Sequence, residues 1–343
     1  MQGGDIMCLK LFHASIIVAL IVLQYFNISL SLEFNNISLG VVGHKDIVKV
    51  PKVIRCIERE GEALLAFKQG LAYDDNLLSS WGREVYKQDG CKWAGIHYSN
   101  RTGRIIQLNL GQSYLSEAYS LQEEGDPEFY YHLQDFIGSL SNLRHLDLSD
   151  ASFAGRFPSH VGNLTHLQYL DISFNFFANV ENLNSWPPNL SSLTYLNMSS
   201  NNLSNVYDWM EAVNKLPKLT NLTLTKCGLL SLIHPSTLFN INSSKYLAHV
   251  DLNSNQFTSP LIFLWLSNYN VSPVYLDLSY NSITGLIPHV FGNMRPLAFL
   301  PLGYNHLVGS LPNLANCSSL EELGLSYNQL NGTIPKSIGQ MSN

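Results

Sequence analysis

Leu276-Asp-Leu-Ser-Tyr-Asn281 decides how the rest of this chain is read. Two leucines flank one polar residue, and an asparagine stands five positions after the first leucine. Gly285-Leu-Ile-Pro288 follows a few residues later. The first residue of each copy falls at Leu146, Leu170, Leu196, Leu222, Val250, Leu276, Leu300 and Leu323. The intervals are 24, 26, 26, 28, 26, 24 and 23 residues. Self-similarity at a period in the twenties marks a repeat array, in which one small unit recurs and packs on its neighbours.

In each copy the two leucines point inward from a short parallel strand and the residue between them points out, because successive side chains of a strand alternate. Five positions after the first leucine stand Asn175, Asn201, Asn255, Asn281, Asn305 and Asn328. A carboxamide both donates and accepts, so stacked asparagines satisfy the backbone of a turn that would be costly to bury unpaired. Cys227 fills this slot as a weaker substitute, and Ala151 fills it with no polar side chain. The grammar is that of a leucine-rich repeat. It predicts an α/β solenoid, a horseshoe of about nine repeats with a parallel sheet on its concave face. A second phrase, Gly-x-Ile/Leu/Phe-Pro, recurs at 155–158, 285–288, 309–312 and 332–335. The repeats between about 175 and 272 are longer and lack it, so a less regular stretch is expected there. Pro301 removes a ladder donor from what reads as an interior strand.

Residues 1–31 read as a secretory signal peptide, with Lys10 ahead of the apolar run Ile16-Ile-Val-Ala-Leu-Ile-Val-Leu23 and small residues at Ser29 and Ser31. A signal anchor is the alternative, although the run falls short of the ~20 residues that a membrane span needs. No other stretch spans a bilayer on this reading, so no membrane anchor is expected in this chain. A lead-in covers 32–55, a helix-containing N-terminal cap 56–103, and the repeats 104–343. The cap follows from physics: an open-ended solenoid needs its first apolar layer covered. Leu64, Phe67 and Leu71 share one helical face, and Glu58 and Glu60 ahead of Lys68 suit a helix dipole. The 38 residues between Leu108 and Leu146 exceed one unit, so an insertion is placed at about 112–135. It reads as a surface loop or, less simply, as part of a binding face. The sequence ends mid-array, without a C-terminal cap, which is the expectation for a fragment of a longer chain.

Cys56, Ala63-Leu-Leu-Ala-Phe-Lys68, Leu77-Leu-Ser-Ser-Trp81 and Cys91-Lys-Trp-Ala-Gly-Ile96 follow one another in the cap. That order resembles the N-terminal cap of plant extracellular leucine-rich-repeat receptors, above all the receptor-like proteins of innate immunity, including the fungal-xylanase-sensing type. The Gly-x-Ile-Pro phrase likewise resembles the plant type of repeat, in which it builds a second strand. The resemblance covers 56–343. The cap of that family carries further cysteines where this chain has Gly90 and Tyr98. Each of two family disulfides therefore loses one partner, and Cys56 and Cys91 either pair with each other or stay free. The resemblance implies a non-catalytic recognition domain of defence, binding a protein, peptide or glycan. Signalling in that family runs through co-receptor kinases and a membrane anchor of the full-length protein.

The outward strand positions form the expected ligand surface. One column of rings, just before the first leucine, holds His145, Tyr169, Tyr195, His249, Tyr275 and Phe299; another, just before the asparagine slot, holds Phe174, Tyr280, Tyr304 and Tyr327. Exposed aromatics are enriched in interfaces, although rings beside the asparagine are also common filler. Asp147, Asp171, Asp251 and Asp277 form a partial acidic row that reads as solvating the face. Sequons at Asn36, Asn100, Asn163, Asn189, Asn197, Asn202, Asn221, Asn242, Asn270, Asn316 and Asn331 suit an extracellular or cell-surface glycoprotein of the secretory pathway. Asn197 and Asn221 lie on or beside the concave face, where a glycan would mask binding surface.

With 13% charged residues and a net charge of -6, nucleic acid is an unsuited partner. The eleven histidines and five cysteines show no metal-ligand spacing, so no metal or cofactor is expected. Cys227 and Cys317 read as buried and structural. The sequence carries no P-loop, zinc-protease or nucleophile-elbow motif, which points away from an enzyme. A second reading is a secreted inhibitor of a cell-wall-degrading hydrolase, similar to the polygalacturonase-inhibiting proteins. The 26- and 28-residue repeats and the missing C-terminal cap count against it.

Overall fold

The computed structural model describes residues 56–69, 78–84, 90–111, 131–132, 135–180, 183, 189–230, 246–269, 273–336 and 338. They belong to one compact unit, Val53–Asn343. The signal and lead-in readings, Leu71, and most of the insertion lie outside the described residues. Tyr131–His132 already pairs with the second-sheet strand at Phe153–Arg156, and a 3-10 turn spans Asp135–Ser139.

Ten strands form one long sheet. An antiparallel pair, Ile96–Tyr98 with Ile105–Asn109, starts it from the cap. His145–Asp147, Tyr169–Asp171, Tyr195–Asn197, Asn221–Thr223 and His249–Asp251 then add in parallel. Tyr275–Asp277, Phe299–Pro301 and Glu322–Gly324 complete the sheet. From His145–Asp147 onward each strand is three residues long, the first leucine of the phrase with one residue on either side, and the chain turns beyond it. The leucines do the packing: Leu146, Leu170, Leu222, Leu276 and Leu278 are wholly buried in one continuous core.

The predicted second strand is present twice over. One three-stranded sheet joins Tyr131–His132, Phe153–Arg156 and Phe176–Asn179; another joins Thr284–Leu286, His306–Gly309 and Gln329–Leu330. The first sheet reaches one repeat further than the Gly-x-Ile-Pro phrase, since Phe176–Asn179 is a strand without it. Between the two sheets the longer repeats carry short helices instead, α2 at Trp209–Asn214 and α3 at Leu261–Ser267. Their apolar faces close the gap. Trp209 meets Trp265 edge-on at 5.3 Å, and Asn214 Oδ1 accepts both Trp265 Nε1–H and Tyr269 O–H, at 2.9 and 3.0 Å.

The cap helix α1, Glu58–Gln69, buries Leu64, Leu65 and Phe67. Phe67 reaches Phe136 at 5.0 Å and Phe153 at 6.1 Å, which covers the apolar end of the first coil. Trp81 stacks on Trp93 and donates its indole N–H to the Ala94 carbonyl. Cys56 and Cys91 form a disulfide, with their Cα atoms 5.4 Å apart. Glu60 lies in the first turn of α1, as its reading as a dipole partner requires, and has a second role. It is buried, accepts the Ile105 N–H at 2.8 Å and lies 3.5 Å from Arg104, so it ties the cap to the first parallel coil.

The asparagine slot is the repeated polar device inside the solenoid. Asn305 Nδ2 donates to the carbonyls of Leu278, Leu302 and Gly303, and its Oδ1 accepts the Ile283 N–H at 2.9 Å. Asn175, Asn255, Asn281 and Asn328 repeat the scheme. Two consecutive steps are incomplete. Asn201 donates to three carbonyls, but its buried Oδ1 has no partner. In the next repeat Cys227 donates its thiol to the Met198 carbonyl at 3.3 Å and cannot accept as a carboxamide does, so the Leu203 N–H bonds the Cys227 carbonyl instead. Pro301 leaves its own mark. Its strand pairs with Tyr275–Asp277 at Tyr275↔Phe299 alone, while the Pro301 carbonyl still accepts Leu278 N–H.

Replacing Asn305 by alanine strands the buried Ile283 N–H and takes one of two donors from each of the Leu278, Leu302 and Gly303 carbonyls, and is expected to cost about 3 kcal/mol. Asn201→Ala should cost clearly less, because its oxygen makes no bond to lose. Denaturant midpoints of the two variants check this; equal losses would refute the ladder account.

Candidate functional site

The outward side of the long sheet gathers the predicted ring columns. The first residues of successive strands stand in register, so side chains of the same column meet across about 4.8 Å of strand spacing. His145 stacks on Tyr169 at 4.0 Å, and Tyr169 on Tyr195 at 4.2 Å, with interplanar angles of 10° and 7°. Asn221 interrupts the column. It resumes with His249 on Tyr275 at 4.3 Å, and Phe299 follows at 6.0 Å, tilted by 40°. These rings are half-buried, because each covers the face of the next.

The second column is more open. Phe174, Tyr280, Tyr304 and Tyr327 are 55%, 54%, 40% and 71% exposed, and the three tyrosines stack at 4.2 Å. Each occupies a left-handed backbone conformation, with φ of 54°, 52°, 55° and 57°. Asp150, Ser200, Lys226 and Ser254 share it at the equivalent positions. Such a φ disfavours L side chains, so the turn is held by the array. The residue's N–H reaches the next coil, as Tyr280 N–H does to the Gly303 carbonyl at 3.0 Å. The conformation also aims the ring outward. Spacing alone does not reveal this, because aromatic residues give no local signal for a left-handed turn.

The acidic row does not solvate the face as first read. Asp171 and Asp277 are buried, and each accepts the N–H and O–H of the serine two residues on. Asp147 caps Ser149 and Asp251 caps Asn253 in the same way. The Asp-x-Ser spacing carries that signal: a carboxylate bonds its own chain two positions ahead. The row therefore rigidifies the strand exits and offers little free charge to a ligand.

Burial decides the ionisation of the ring column. It holds His145 and His249 below the usual histidine range, against the raising effect of Asp147 and Asp171 on the first and of Asp251 and Asp277 on the second. Burial, then Asp171, pushes the Tyr169 phenol well up; burial, then Asp277, does so for Tyr275. In the open column, hydrogen bonding from Tyr280 leads in pushing Tyr304 up to about 12. Near neutrality the column thus presents uncharged rings bearing hydroxyl and imidazole donors and acceptors. That chemistry suits peptide backbone, amide and hydroxyl groups.

Cys227 and Cys317 are buried, and burial pushes the Cys227 thiol up to about 12. Cys317 donates to the Phe291 carbonyl at 3.0 Å. Among the sequons, Asn100, Asn163, Asn189, Asn202, Asn316 and Asn331 are exposed, whereas Asn197 and Asn221 are half-buried on the sheet. Asn36, Asn242 and Asn270 lie outside the described residues. Among the described residues no three His, Cys, Asp or Glu side chains converge as a metal site. No described helix is long and apolar enough to cross a membrane.

The family description "Leucine rich repeat N-terminal domain" matches residues 57–97, and "Leucine Rich Repeat" matches 142–164, 272–294 and 319–341. The receptor-like protein EIX1 of Solanum lycopersicum is 31% identical over 308 residues, which cover 82% of this chain and 29% of that protein. EIX2 of the same plant is 37% identical over 273 residues, covering 73% and 26%. The chain thus spans less than a third of the length of these relatives. Among solved structures, the Arabidopsis receptor kinase HAESA, in complex with the peptide hormone IDA and the co-receptor SERK1, is similar with a TM-score of 0.54 and 25% identity. That likeness covers 83% of this chain and 52% of HAESA.

The lowered histidines make stability depend on pH. The unfolded chain binds a proton near pH 6.5, before the folded chain does, so acidification favours unfolding. The stability that His145 and His249 lend above that pH should be lost as pH falls from about 7 toward the folded values. A His145→Gln/His249→Gln variant should show a flatter midpoint-against-pH curve over that window, read by thermal unfolding; a slope matching the wild type would contradict the assignment.

Proposed function

The chain belongs to the leucine-rich-repeat receptor-like proteins of plants, and from that premise we propose that it is an extracellular recognition module that binds a protein or peptide on its concave face. The family is non-catalytic, and its members display such repeats at the cell surface. One observation carries the reading: two columns of rings share one rigid sheet, and the rings of one column are turned outward by left-handed backbone. Rigid aromatic side chains give large contact area at small entropic cost and anchor interfaces. The complex of HAESA with IDA and SERK1 supports the same assignment, since that relative in fold receives a peptide hormone and a co-receptor. By that likeness, this chain would act as the N-terminal part of a longer receptor. Its signalling would pass through a co-receptor kinase and an anchor in the full-length protein.

The pattern of neutral donors favours an extended peptide or protein loop over a glycan. In the tyrosine column Tyr304 has both ring faces covered and Tyr280 and Tyr327 one each, leaving mainly edges and hydroxyls for a ligand. Sugars would need free faces for their apolar C–H surfaces.

A photo-crosslinking amino acid at Tyr304, in chain secreted by plant cells and exposed to microbial culture filtrate, should capture peptide or protein adducts identifiable by mass spectrometry. In that crosslinker-bearing chain, Tyr280→Ala/Tyr327→Ala should weaken the capture at least tenfold, the scale of a hot-spot loss of about 2 kcal/mol, with the unfolding midpoint little changed. Direct stoichiometric inhibition of a pectinase, with no such adduct, would favour the inhibitor reading instead.

A further inference from the structure

Asn197 and Asn221 are both sequons on the long sheet, but their amide nitrogens differ. Asn197 Nδ2 donates to Asp171 Oδ2 at 3.0 Å, and its Oδ1 accepts the Ser199 N–H. A sugar on that nitrogen takes one of its two hydrogens and crowds the bond to a buried carboxylate. Asn221 Oδ1 accepts the Thr220 hydroxyl at 2.8 Å, while its Nδ2 makes no hydrogen bond among the described residues. The nitrogen that would carry a sugar is free there.

Position 221 is also the break in the ring column. Tyr195, Asn221 and His249 stand in register on three adjacent strands. Tyr195 has one face on Tyr169, and His249 one face on Tyr275. The opposite face of each looks toward Asn221. Two strand spacings put those faces about 9–10 Å apart. That is room for one saturated six-membered ring in contact with both. The electron-rich face of an aromatic ring attracts the partly positive C–H face of such a sugar.

The geometry points to an N-linked glycan on Asn221 whose first N-acetylglucosamine lies between Tyr195 and His249, completing the interrupted stack and dividing the concave face into two ligand platforms. One platform is built on His145, Tyr169 and Tyr195. The other begins at Tyr275 and includes the open tyrosine column. A single ligand is then held on one side of the glycan. The reading rests on the cell-surface assignment above, because only a chain in the secretory pathway receives such a sugar.

The test uses the full chain secreted from plant cells. Release of N-glycans by peptide N-glycosidase A in 18O-water marks each occupied asparagine for mass spectrometry. The expected result is label at Asn221, at the exposed Asn100, Asn163 and Asn316, and none at Asn197. Label at the exposed sequons with Asn221 empty would overturn this proposal alone. Label at none would overturn the cell-surface reading together with it. The stacking is tested by diethyl pyrocarbonate, which modifies accessible histidines. Thr223→Ala removes the sequon without touching any ring, and Asn221→Gln serves as a second variant. Both should raise the reactivity of His249 severalfold and leave that of His145 unchanged. Equal His249 reactivity in glycosylated and sequon-less chains would contradict the sandwich.

Discussion

A buried turn with unpaired carbonyls is the constraint on which this structure depends. Every coil must reverse after three extended residues, and the reversal falls where water cannot reach. One carboxamide per coil resolves it. Asn175, Asn255, Asn281 and Asn305 each hold carbonyls of their own turn and of the preceding coil with Nδ2, and return an acceptor to a preceding N–H. Because each side chain spans two coils, the ladder sets both the internal shape of a repeat and its stacking. The leucines beneath supply the apolar burial, but they would tolerate small rotations between coils. The asparagines do not.

The functional surface follows from the same constraint. With the slot pinned, the residue before it is forced into left-handed backbone, and Tyr280, Tyr304 and Tyr327 are thereby turned outward into a stack. The parallel register does the equivalent for His145, Tyr169 and Tyr195. Neither column needs a ligand to order it. A preformed array of this kind binds with less entropy lost than a loop that must be arranged on contact. The aspartates between the leucines serve the frame as well, since Asp171 and Asp277 spend their oxygens on Ser173 and Ser279. On the proposed function, recognition would rest on ring edges, hydroxyls and shape more than on charge.

Much of this was legible in the sequence, for a physical reason. A repeat multiplies each weak signal, so Leu276 is read as one of eight copies and Asn281 as one of six. Other features were less legible. Glu60 suits a helix dipole by position, yet it reaches across 45 residues to bond Ile105 N–H, a contact that no local pattern encodes. Strand alternation points the acidic row outward, which suggests solvation. The short bond back to residue i+2 overrides that alternation at Asp171 and Asp277. The helices α2 and α3 were also missed, since six and seven residues of mostly apolar sequence carry too little periodicity to declare themselves. Their role is tertiary: they fill the width that a second strand fills elsewhere.

The central claim is that the carboxamide ladder, repeated coil by coil, keeps the solenoid's turns closed. Amide hydrogen exchange tests it directly. The N–H groups of Phe153, Leu229, Phe257, Ile283 and Leu307 are held by asparagine oxygens of the following coil. The account predicts that these amides exchange as slowly as those of the long sheet, through opening of whole coils. Exchange at the rate of exposed turns, with the sheet amides still protected, would contradict it.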